Sequence, residues 1–381
     1  MRERGLTLAS TRNSPLPHGR GSKSFVRHSQ PDRIARRRGF ALIDLIAVAC
    51  TLALVIALLV YGVQQSRIRA RSLGCRDNLR RIGTALAQYT DTHRTLPTVT
   101  LSGADYRLAQ SPLALLVPLL PQAPSASAQI PAGEIATYDP AQPWFRQREG
   151  FAAVIVPTFR CPASTHRNPV ESIEAERTHC PLGTLLAATD YIVCKGPNDS
   201  WCLEDGVSDV PLKERGAFEI GRVLRPSDVS DGLAQTIVLG EGSCGRSWSI
   251  ALKDRFPLTL VDRATMRTVP AFNYWGWPLL NTTPEQLATQ VVAASVFGTT
   301  AVELNRRPVV ETLLNPDKLE DCQPRYKNGF HAVSNFRSDH IGGAYFLFAD
   351  GASHFVSEGI VPDVYRALSS IAGGESVDYI N

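Results

Sequence analysis

The fold is decided by a stretch that reads Arg-Arg-Arg-Gly-Phe-Ala-Leu-Ile-Asp-Leu at residues 36–45 and stays apolar as far as Val63. No charged side chain interrupts it after Asp44. As a helix, residues 40–63 would be roughly 36 Å long at about 1.5 Å per residue, enough to cross the hydrocarbon core of a bilayer. A cleaved secretory signal is the rival interpretation, but its apolar region should span about 7 to 15 residues and end in a small-x-small site. Residues 64–67 provide no such site, so the stretch predicts a membrane helix.

Asp44 is the unusual residue of this helix, because a carboxylate inside a membrane segment costs about 2.5 to 3.5 kcal/mol. It lies only roughly 6 Å inside the apolar boundary, so its side chain is within reach of the headgroup region. The alternative interpretation is that the Asp44 carboxylate has a partner, as is usual for an ionised group inside a membrane segment.

Charge is distributed unevenly along the chain. The 381 residues carry a net charge of +4, with 44% hydrophobic and 20% charged residues, which is a normal globular balance. Residues 1–39 hold ten basic residues against two acidic ones, so the chain from Phe40 onward is net negative. We therefore expect no nucleic-acid partner, and we expect the leader, rich in Arg, Ser, Pro and Gly, to be unstructured.

A second helical pattern follows the membrane segment. Apolar side chains recur at spacings of three and four residues, which places on one helix face Cys75, Leu79, Ile82, Leu86 and Tyr89. One continuous helix is expected, and the alternative is two helices with a bend near Gly62. The predicted organisation is a leader at 1–39, a membrane helix at 40–63, an exported amphipathic helix at 64–95 and a globular extracytoplasmic domain at 96–381, with elaborations at about 105–150 and 254–320.

The basic leader, the Gly39-Phe40 junction, Asp44 and the long apolar helix together resemble the N-terminal signature of type IV prepilins and pseudopilins. The resemblance implies that a prepilin peptidase cuts between Gly39 and Phe40 and methylates the new amine, while Asp44 pairs with the N-terminus of a neighbouring subunit. It also implies assembly with other pilin-like subunits, or with copies of the same chain, through the N-terminal helix. The expected location is the inner (cytoplasmic) membrane, single-pass, with the ectodomain in the periplasm or at the cell surface.

Landmarks farther along the chain resemble a set of prepilin-like proteins abundant in planctomycetes, the domain of unknown function 1559. The landmarks follow the order of that family. They are residues 75–79, 86–89, 159–162, 190–191, 225–232, 236–241 and 339–351. The resemblance covers most of the chain after the leader.

The C-terminal landmark joins His340 to Asp350-Gly351 through an apolar and aromatic segment. Asp-Gly followed by Ala352 and further strand residues is a strong signal for a two-residue hairpin turn. A catalytic or metal pair of His340 and Asp350 is the sharper alternative, but a straight strand at about 3.3 Å per residue would separate them by roughly 30 Å. We therefore expect structural roles, with His340 at a strand entry and Asp350 and Gly351 in a turn.

Eight cysteines are present, and Cys50 lies in the membrane helix, which leaves seven in the exported part. None forms a Cys-x-x-Cys pair, so zinc is disfavoured and disulfides are favoured in an oxidising exterior. Seven is an odd number, and the sequence alone leaves the connectivity open. We expect no metal or other cofactor, apart from a weak calcium candidate at Asp199, Glu204 and Asp205. A solvated acidic loop is the plainer interpretation of that segment.

One pairing is favoured among these cysteines. Cys75 and Cys161 both lie in landmarks of the resembled family, and Cys75 begins the apolar stripe. Cys161 precedes Pro162, where a loop can approach the helix without losing a ladder hydrogen bond. We predict a disulfide between them, the alternative being that Cys75 is only a small apolar member of the stripe.

The sequence contains no Gly-rich phosphate loop, no His-Glu-x-x-His pair and no Gly-x-Ser-x-Gly elbow, so we expect that the protein is not an enzyme. The leading function is a pseudopilin-like, membrane-anchored structural subunit of a type IV pilus or type II secretion type assembly. The alternative is an anchored extracytoplasmic binding module that does not polymerise, and a hydrolase using His340 comes last. The expected fold is α+β and pilin-like, with the long N-terminal helix packed on an antiparallel sheet in a large ectodomain.

Overall fold

The chain forms two compact units, Met1–Val60 and Tyr61–Asn381. The computed structural model describes residues 41–97, 111–121, 150–171, 185–199, 210–219, 222–249, 270–274, 292–293, 296–309, 313–314, 324–328 and 333–375. The predicted leader, with Gly39 and Phe40, lies outside the described residues, as do parts of both expected elaborations.

The described residues contain helices and short strands that follow a long N-terminal helix. The helices are α1 (Leu42–His93), α2 (Pro112–Leu116) and α3 (Pro362–Ala367). The strands are β1 (Val170–Glu171), β2 (Leu185–Leu186), β3 (Tyr191–Gly196), β4 (Ile237–Glu241), β5 (Gly245–Ser249), β6 (Pro270–Ala271), β7 (Val292–Ala293), β8 (Phe297–Thr299), β9 (Leu313–Leu314), β10 (Ser334–Asn335), β11 (Gly343–Phe348) and β12 (Ser353–Ser357).

In the first unit, the described residues belong to the beginning of α1. Its large apolar side chains are exposed, from Leu42 at 75% to Val55 at 50%. Asp44 lies in the first turn, where its carboxylate accepts a hydrogen bond from the Ala41 N–H at 3.2 Å and is favoured by the helix dipole. Among the described residues, α1 is the one helix that is long and apolar enough to cross a membrane.

In the second unit, α1 buries one face against the globular core. The buried residues of that face are Cys75, Leu79, Ile82, Gly83, Ala85 and Leu86. Tyr89 packs against the same core and is partly buried. The predicted stripe is confirmed, because side chains three and four residues apart share one side of a helix. α1 ends at His93, and the next residue, Arg94, has a φ of 62° while its N–H donates to the Thr90 carbonyl at 2.7 Å.

Six strands form the main sheet in the order β10-β8-β3-β4-β11-β12. The pairs β3-β4, β4-β11 and β11-β12 are antiparallel, whereas β8 pairs in parallel with both β3 and β10. The expected α+β class is confirmed, but the sheet is mixed and not purely antiparallel. The parallel edge consists of strands of three and two residues, which are too short to leave a readable alternation in the sequence.

The main sheet is covered on both faces. In β3, Tyr191 and Val193 belong to the core that includes α1, whereas Ile192 and Cys194 belong to a second core that includes Tyr365 of α3. This alternation follows from the two-residue period of a strand. Every residue of β3 is buried, because helices cover the sheet on either side.

β11 and β12 form the expected C-terminal hairpin, but its loop has three residues and not two. The Phe348 N–H donates to the Ala352 carbonyl, and the Gly351 N–H donates back to the Phe348 carbonyl, both at 2.9 Å. Gly351 has a φ of 86°, the left-handed conformation that closes such a loop with one extra residue. Asp350 accepts a hydrogen bond from the Ala352 N–H at 2.8 Å, so Asp350 and Gly351 do lie in a turn.

Candidate functional site

Four buried side chains meet where α1 packs on the core of the second unit. They are Cys75 of α1, Cys161 in the loop before β1, Glu241 at the end of β4 and His340 shortly before β11. One ligand atom from each lies within 4.8 Å of the others. None of the four residues is more than 8% exposed. We call this group the Cys-Glu-His cluster.

The two cysteines of the cluster form a disulfide, as predicted. Their Cα atoms are 5.0 Å apart, and 86 sequence positions separate them. The backbone around Cys161 is fixed independently of the sulfur, because its N–H donates to the Asp190 carboxylate at 3.0 Å. On the helix side, the Tyr191 hydroxyl of β3 donates to the Cys75 carbonyl at 3.3 Å. The crosslink therefore joins two segments that are already held in place.

Glu241 presents its two carboxylate oxygens to different neighbours. Oε2 accepts hydrogen bonds from the Ser338 hydroxyl at 2.6 Å and from the Tyr345 N–H at 3.0 Å. Oε1 points into the cluster, 3.3 Å from His340 Nε2 and 3.5 Å from Cys161 Sγ. Because Cys161 is in a disulfide and has no thiol proton, its contact with Oε1 is not a hydrogen bond. One oxygen is therefore anchored while the other faces the cluster.

The backbone N–H, the ring and the Nδ1 atom of His340 each have a contact that positions the side chain. The His340 N–H donates to the Ser338 hydroxyl at 3.0 Å, and its ring makes an edge-to-face contact with Tyr345 at 5.4 Å between ring centroids. Nδ1 lies 3.4 Å from the Ser72 hydroxyl of α1, and Nε2 lies 3.5 Å from Cys161 Sγ. The imidazole therefore faces the sulfurs with Nε2 and leaves Nδ1 to a hydroxyl partner.

A buried arginine fixes the segment that carries Ser338 and His340. Arg337 is fully buried, and its guanidinium donates to the Ser243 carbonyl at 2.6 Å and to the Asn273 side-chain oxygen at 3.0 Å. Its backbone N–H also donates to the Glu241 carbonyl at 3.0 Å. These bonds surround the charge with acceptors, as a buried guanidinium requires. The segment before β11 is thereby aligned with the end of β4.

Two buried titratable side chains, Asp190 and His166, lie next to Cys161. Burial is the main cause that raises the pKa of Asp190 to about 7. His166 Nδ1 lies 3.5 Å from Asp190 Oδ1 and 2.6 Å from the Ser164 hydroxyl. Burial, followed by the positive charge of Arg160, lowers the pKa of His166 to about 4. Near pH 7, a neutral imidazole therefore faces a carboxyl group that is close to its titration point.

The other predicted site residues lie elsewhere or outside the described residues. Asp350 is beyond β11 from His340, where its N–H donates to the Leu233 carbonyl at 3.1 Å, so the two residues contact different elements. Asp199, one residue of the weak calcium candidate, is buried. The other two, Glu204 and Asp205, lie outside the described residues. His340 lies at the entry to a strand, as expected, but with a set of partners that the strand argument did not foresee.

Sequence reasoning paired Cys75 with Cys161 but named His340 apart from them, and it gave Glu241 no role beyond a landmark position. The signal that was missed is that four of the landmarks each contain one of these cysteine, glutamate or histidine residues, which are types that can bind metals. Local spacing could not join them, because each lies on a different element. Only the packing of α1 and of the loop before β1 on one end of the sheet brings them together.

The fold and the cluster define an α+β protein whose long N-terminal helix packs against a mixed sheet and is crosslinked to the loop that contains Cys161. The chain belongs to the SBP_bac_10 family, described as Protein of unknown function (DUF1559), whose model matches residues 64–363. This match covers more than half of the 381 residues and includes all four members of the Cys-Glu-His cluster. No curated protein and no solved structure matches the chain.

Proposed function

We propose that the protein is a pseudopilin-like structural subunit, anchored in the inner membrane by the first part of α1 and assembled into a type IV pilus or a type II secretion type fibre. The observation that carries this proposal is the bare apolar surface of the first unit. From Leu42 to Val60 the large apolar side chains are 50 to 75% exposed. Exposed apolar surface costs about 25 cal/mol per Å² in water, so this surface requires lipid or neighbouring helices.

Processing by a prepilin peptidase is part of the proposal. The apolar surface begins directly after the Gly39-Phe40 junction, and three arginines precede that junction. In the uncut chain, the Asp44 carboxylate accepts a hydrogen bond from the Ala41 N–H. After cleavage the new Phe40 ammonium, in the same subunit or in a neighbour, would offer a charged donor at the same end of the helix, and charge-assisted hydrogen bonds are the stronger ones.

The maturation step is tested by N-terminal sequencing of the membrane-extracted protein. We expect the sequence to begin at Phe40, and we expect Gly39→Leu to block the cut, because a side chain at this position would keep the peptidase from the backbone. Arg36→Leu is a matched control that changes the leader but not the junction. A mature protein that begins at Met1, or after residue 63, would remove the prepilin interpretation.

Assembly is tested by imaging purified cell-surface filaments with an antibody against the exported unit. Labelled filaments are expected for the native chain, and none for Asp44→Ala, while both proteins stay in the membrane fraction. Asp91→Ala, which changes an exposed acid in the exported part of α1, should assemble normally. Unlabelled filaments together with a correctly processed, membrane-bound native chain would instead favour the alternative, an anchored binding module that does not polymerise.

A further inference from the structure

We propose that the Cys-Glu-His cluster is a zinc site whenever Cys75 and Cys161 are reduced. The cluster would then hold α1 to the core in both redox states, by the Cys75–Cys161 disulfide when oxidised and by a metal ion bound to all four residues when reduced. The inference rests on the geometry of the cluster, on the partners that orient its ligands and on the chemistry of the donor atoms. It does not depend on whether the protein assembles into a fibre.

Three of the donor separations inside the cluster are those of a tetrahedral metal site. Cys161 Sγ lies 3.5 Å from His340 Nε2 and 3.5 Å from Glu241 Oε1, and Nε2 lies 3.3 Å from Oε1. A tetrahedral Zn²⁺ with ordinary bond lengths to sulfur, nitrogen and oxygen separates its ligand atoms by about 3.3 to 3.8 Å. Three donor atoms therefore already form one face of such a tetrahedron, and Cys75 Sγ lies close enough to supply the fourth corner.

The partners of Glu241 and His340 leave the metal-binding atoms free to face inward. Ser338 and the Tyr345 N–H occupy Glu241 Oε2, so Oε1 is the oxygen presented to the cluster. The Ser72 hydroxyl lies beside His340 Nδ1, which leaves Nε2 for the ion. Zinc-bound histidines nearly always engage their second ring nitrogen in this way, which fixes the tautomer and the ring orientation.

The donor set favours zinc over the other common ions. Two thiolates and an imidazole are the ligands that zinc prefers, and one carboxylate completes four-coordination. Calcium and magnesium prefer oxygen ligands and a higher coordination number, so they fit poorly. All four ligands are protein side chains and are buried, which is typical of a structural zinc site and leaves no open position for a substrate.

Two chemical steps lead from the disulfide to the zinc site, namely reduction of the disulfide and binding of zinc. A dithiol reductant transfers two electrons and two protons to the disulfide, becomes a cyclic disulfide itself and leaves Cys75 and Cys161 as thiols. Zinc then binds both sulfurs as thiolates, and the two thiol protons pass to solvent. The oxidised protein cannot offer two thiolates, so the disulfide and the zinc site exclude each other.

The test uses the full chain purified in detergent and reduced with a phosphine, which does not compete as a thiol. The reduced protein is incubated with zinc chloride, passed through a desalting column and analysed for bound metal and for alkylatable thiols. We expect one zinc ion per reduced chain, bound with protection of two thiols from alkylation, and no zinc on the oxidised chain. Cobalt chloride should give the intense visible bands of a tetrahedral site and a thiolate-to-metal band in the near ultraviolet.

Two variants, in His340 and in Glu241, distinguish a loss of zinc binding from a loss of folding, because both keep Cys75 and Cys161. His340→Gln and Glu241→Gln should still form the Cys75–Cys161 disulfide when oxidised, which reports an intact fold. In the reduced state, each should bind zinc more than about 100-fold more weakly, since even loss of an outer partner typically costs about 10- to 100-fold. Ser72→Ala tests that outer partner and should weaken binding by about tenfold or more.

His93→Gln is the matched control, since His93 is exposed at the end of α1 and contacts Tyr89. It should bind zinc as the native chain does. The proposal is overturned if the reduced native chain retains no zinc, if its cobalt spectrum is that of an octahedral site, or if His340→Gln and Glu241→Gln bind zinc as tightly as the native chain.

Discussion

The two parts of α1 lie in the same helix but bury their side chains to opposite extents. In the first unit, from Leu42 to Val60, the large apolar side chains are 50 to 75% exposed. In the second unit, the stripe from Cys75 to Leu86 is at most 6% exposed and belongs to the core. The first part is apolar all round, whereas the second is apolar on one side only. A helix of the first kind matches lipid or other helices, and one of the second kind matches a single protein surface.

Burial in the second unit, and not helix propensity, distinguishes the two parts. Equal substitutions in the two parts should therefore have unequal effects on the unfolding of the second unit. A substitution in the packed part of α1, or next to it, can be paired with a matched substitution elsewhere. Unfolding is followed in detergent for the full chain.

The largest effect is expected from removing the crosslink. The double substitution Cys75→Ala with Cys161→Ala should lower the free energy of unfolding of the oxidised protein by about 4 to 5 kcal/mol, because the bond restricts a long loop in the unfolded chain. Cys50→Ala, in the apolar part, should leave it unchanged. Chemical denaturation with and without reductant measures both. A reductant-independent midpoint for the native chain in metal-free buffer would contradict this prediction.

A buried leucine should give the next largest effect. Leu79 is fully buried, and Leu79→Ala should cost about 3 kcal/mol through lost transfer energy and a new cavity. Leu52 is 56% exposed, and Leu52→Ala should change the free energy of unfolding of the second unit by less than about 0.5 kcal/mol. Thermal unfolding followed by near-ultraviolet circular dichroism compares the two. Equal midpoints would mean that the stripe is not the packing surface.

A smaller effect is expected from the helix glycines. A Cβ added at Gly83 would lie 2.9 Å from Leu347 Cδ1, which is too close, whereas at Gly62 it would meet no atom within 4 Å. Gly83→Ala should therefore cost about 1 kcal/mol or more after its gain in helix propensity is offset. Gly62→Ala should be neutral or slightly stabilising. The same thermal measurement applies, and a stabilised Gly83→Ala variant would show that α1 does not contact β11 closely.

The smallest effect in the native chain is expected from pH, because two groups next to Cys161 have opposing contributions to the free energy of unfolding. Asp190 has a pKa of about 7 when folded against an ordinary 3.8, so the folded state binds more protons in this window and the contribution of Asp190 to stability falls as pH rises. His166 has a pKa of about 4 when folded against 6.5, so its contribution rises with pH in that window. The two slopes oppose each other in the native chain.

Substitutions should expose each slope in turn. Asp190→Asn leaves the His166 contribution, so stability should rise from about pH 4 to 6.5, and His166→Asn leaves the Asp190 contribution, so stability should fall from about pH 4 to 7. Denaturation midpoints at pH 4, 5, 6 and 7 measure both slopes. Slopes of the same sign in the two variants would refute the assignment.

Periodicity explains why the helix could be predicted from the sequence. The apolar run and the stripe at Cys75, Leu79, Ile82 and Leu86 are local patterns, and a helix places such residues on one face wherever it packs. The C-terminal hairpin was also a local signal. Its loop length was wrong by one residue because Asp350-Gly351 fits both a two-residue turn and a three-residue loop that ends in Gly351.

Non-local features were beyond the same reasoning. The parallel edge of the sheet depends on β8 and β10, whose pairing partners are far away in sequence. The Cys-Glu-His cluster takes one residue from each of four segments, and only the pairing of Cys75 with Cys161 was predicted. The search for zinc relied on Cys-x-x-Cys spacing, which detects ligands that share a loop, and Glu241 and His340 share no local segment with either cysteine.

The Cys75–Cys161 bond also determines how the chain would carry tension. A force applied at the N-terminal end of α1 and resisted by the β-sheet can pass from Cys75 to Cys161 through sulfur, without entering the 86 positions of chain between them. The later turns of α1 and the rest of that loop are therefore mechanically bypassed. Hydrogen bonds between Cys75 and Cys161 in the chain would maintain the fold but would not carry the force. Insertions into this loop would therefore leave the mechanical strength of the protein unchanged.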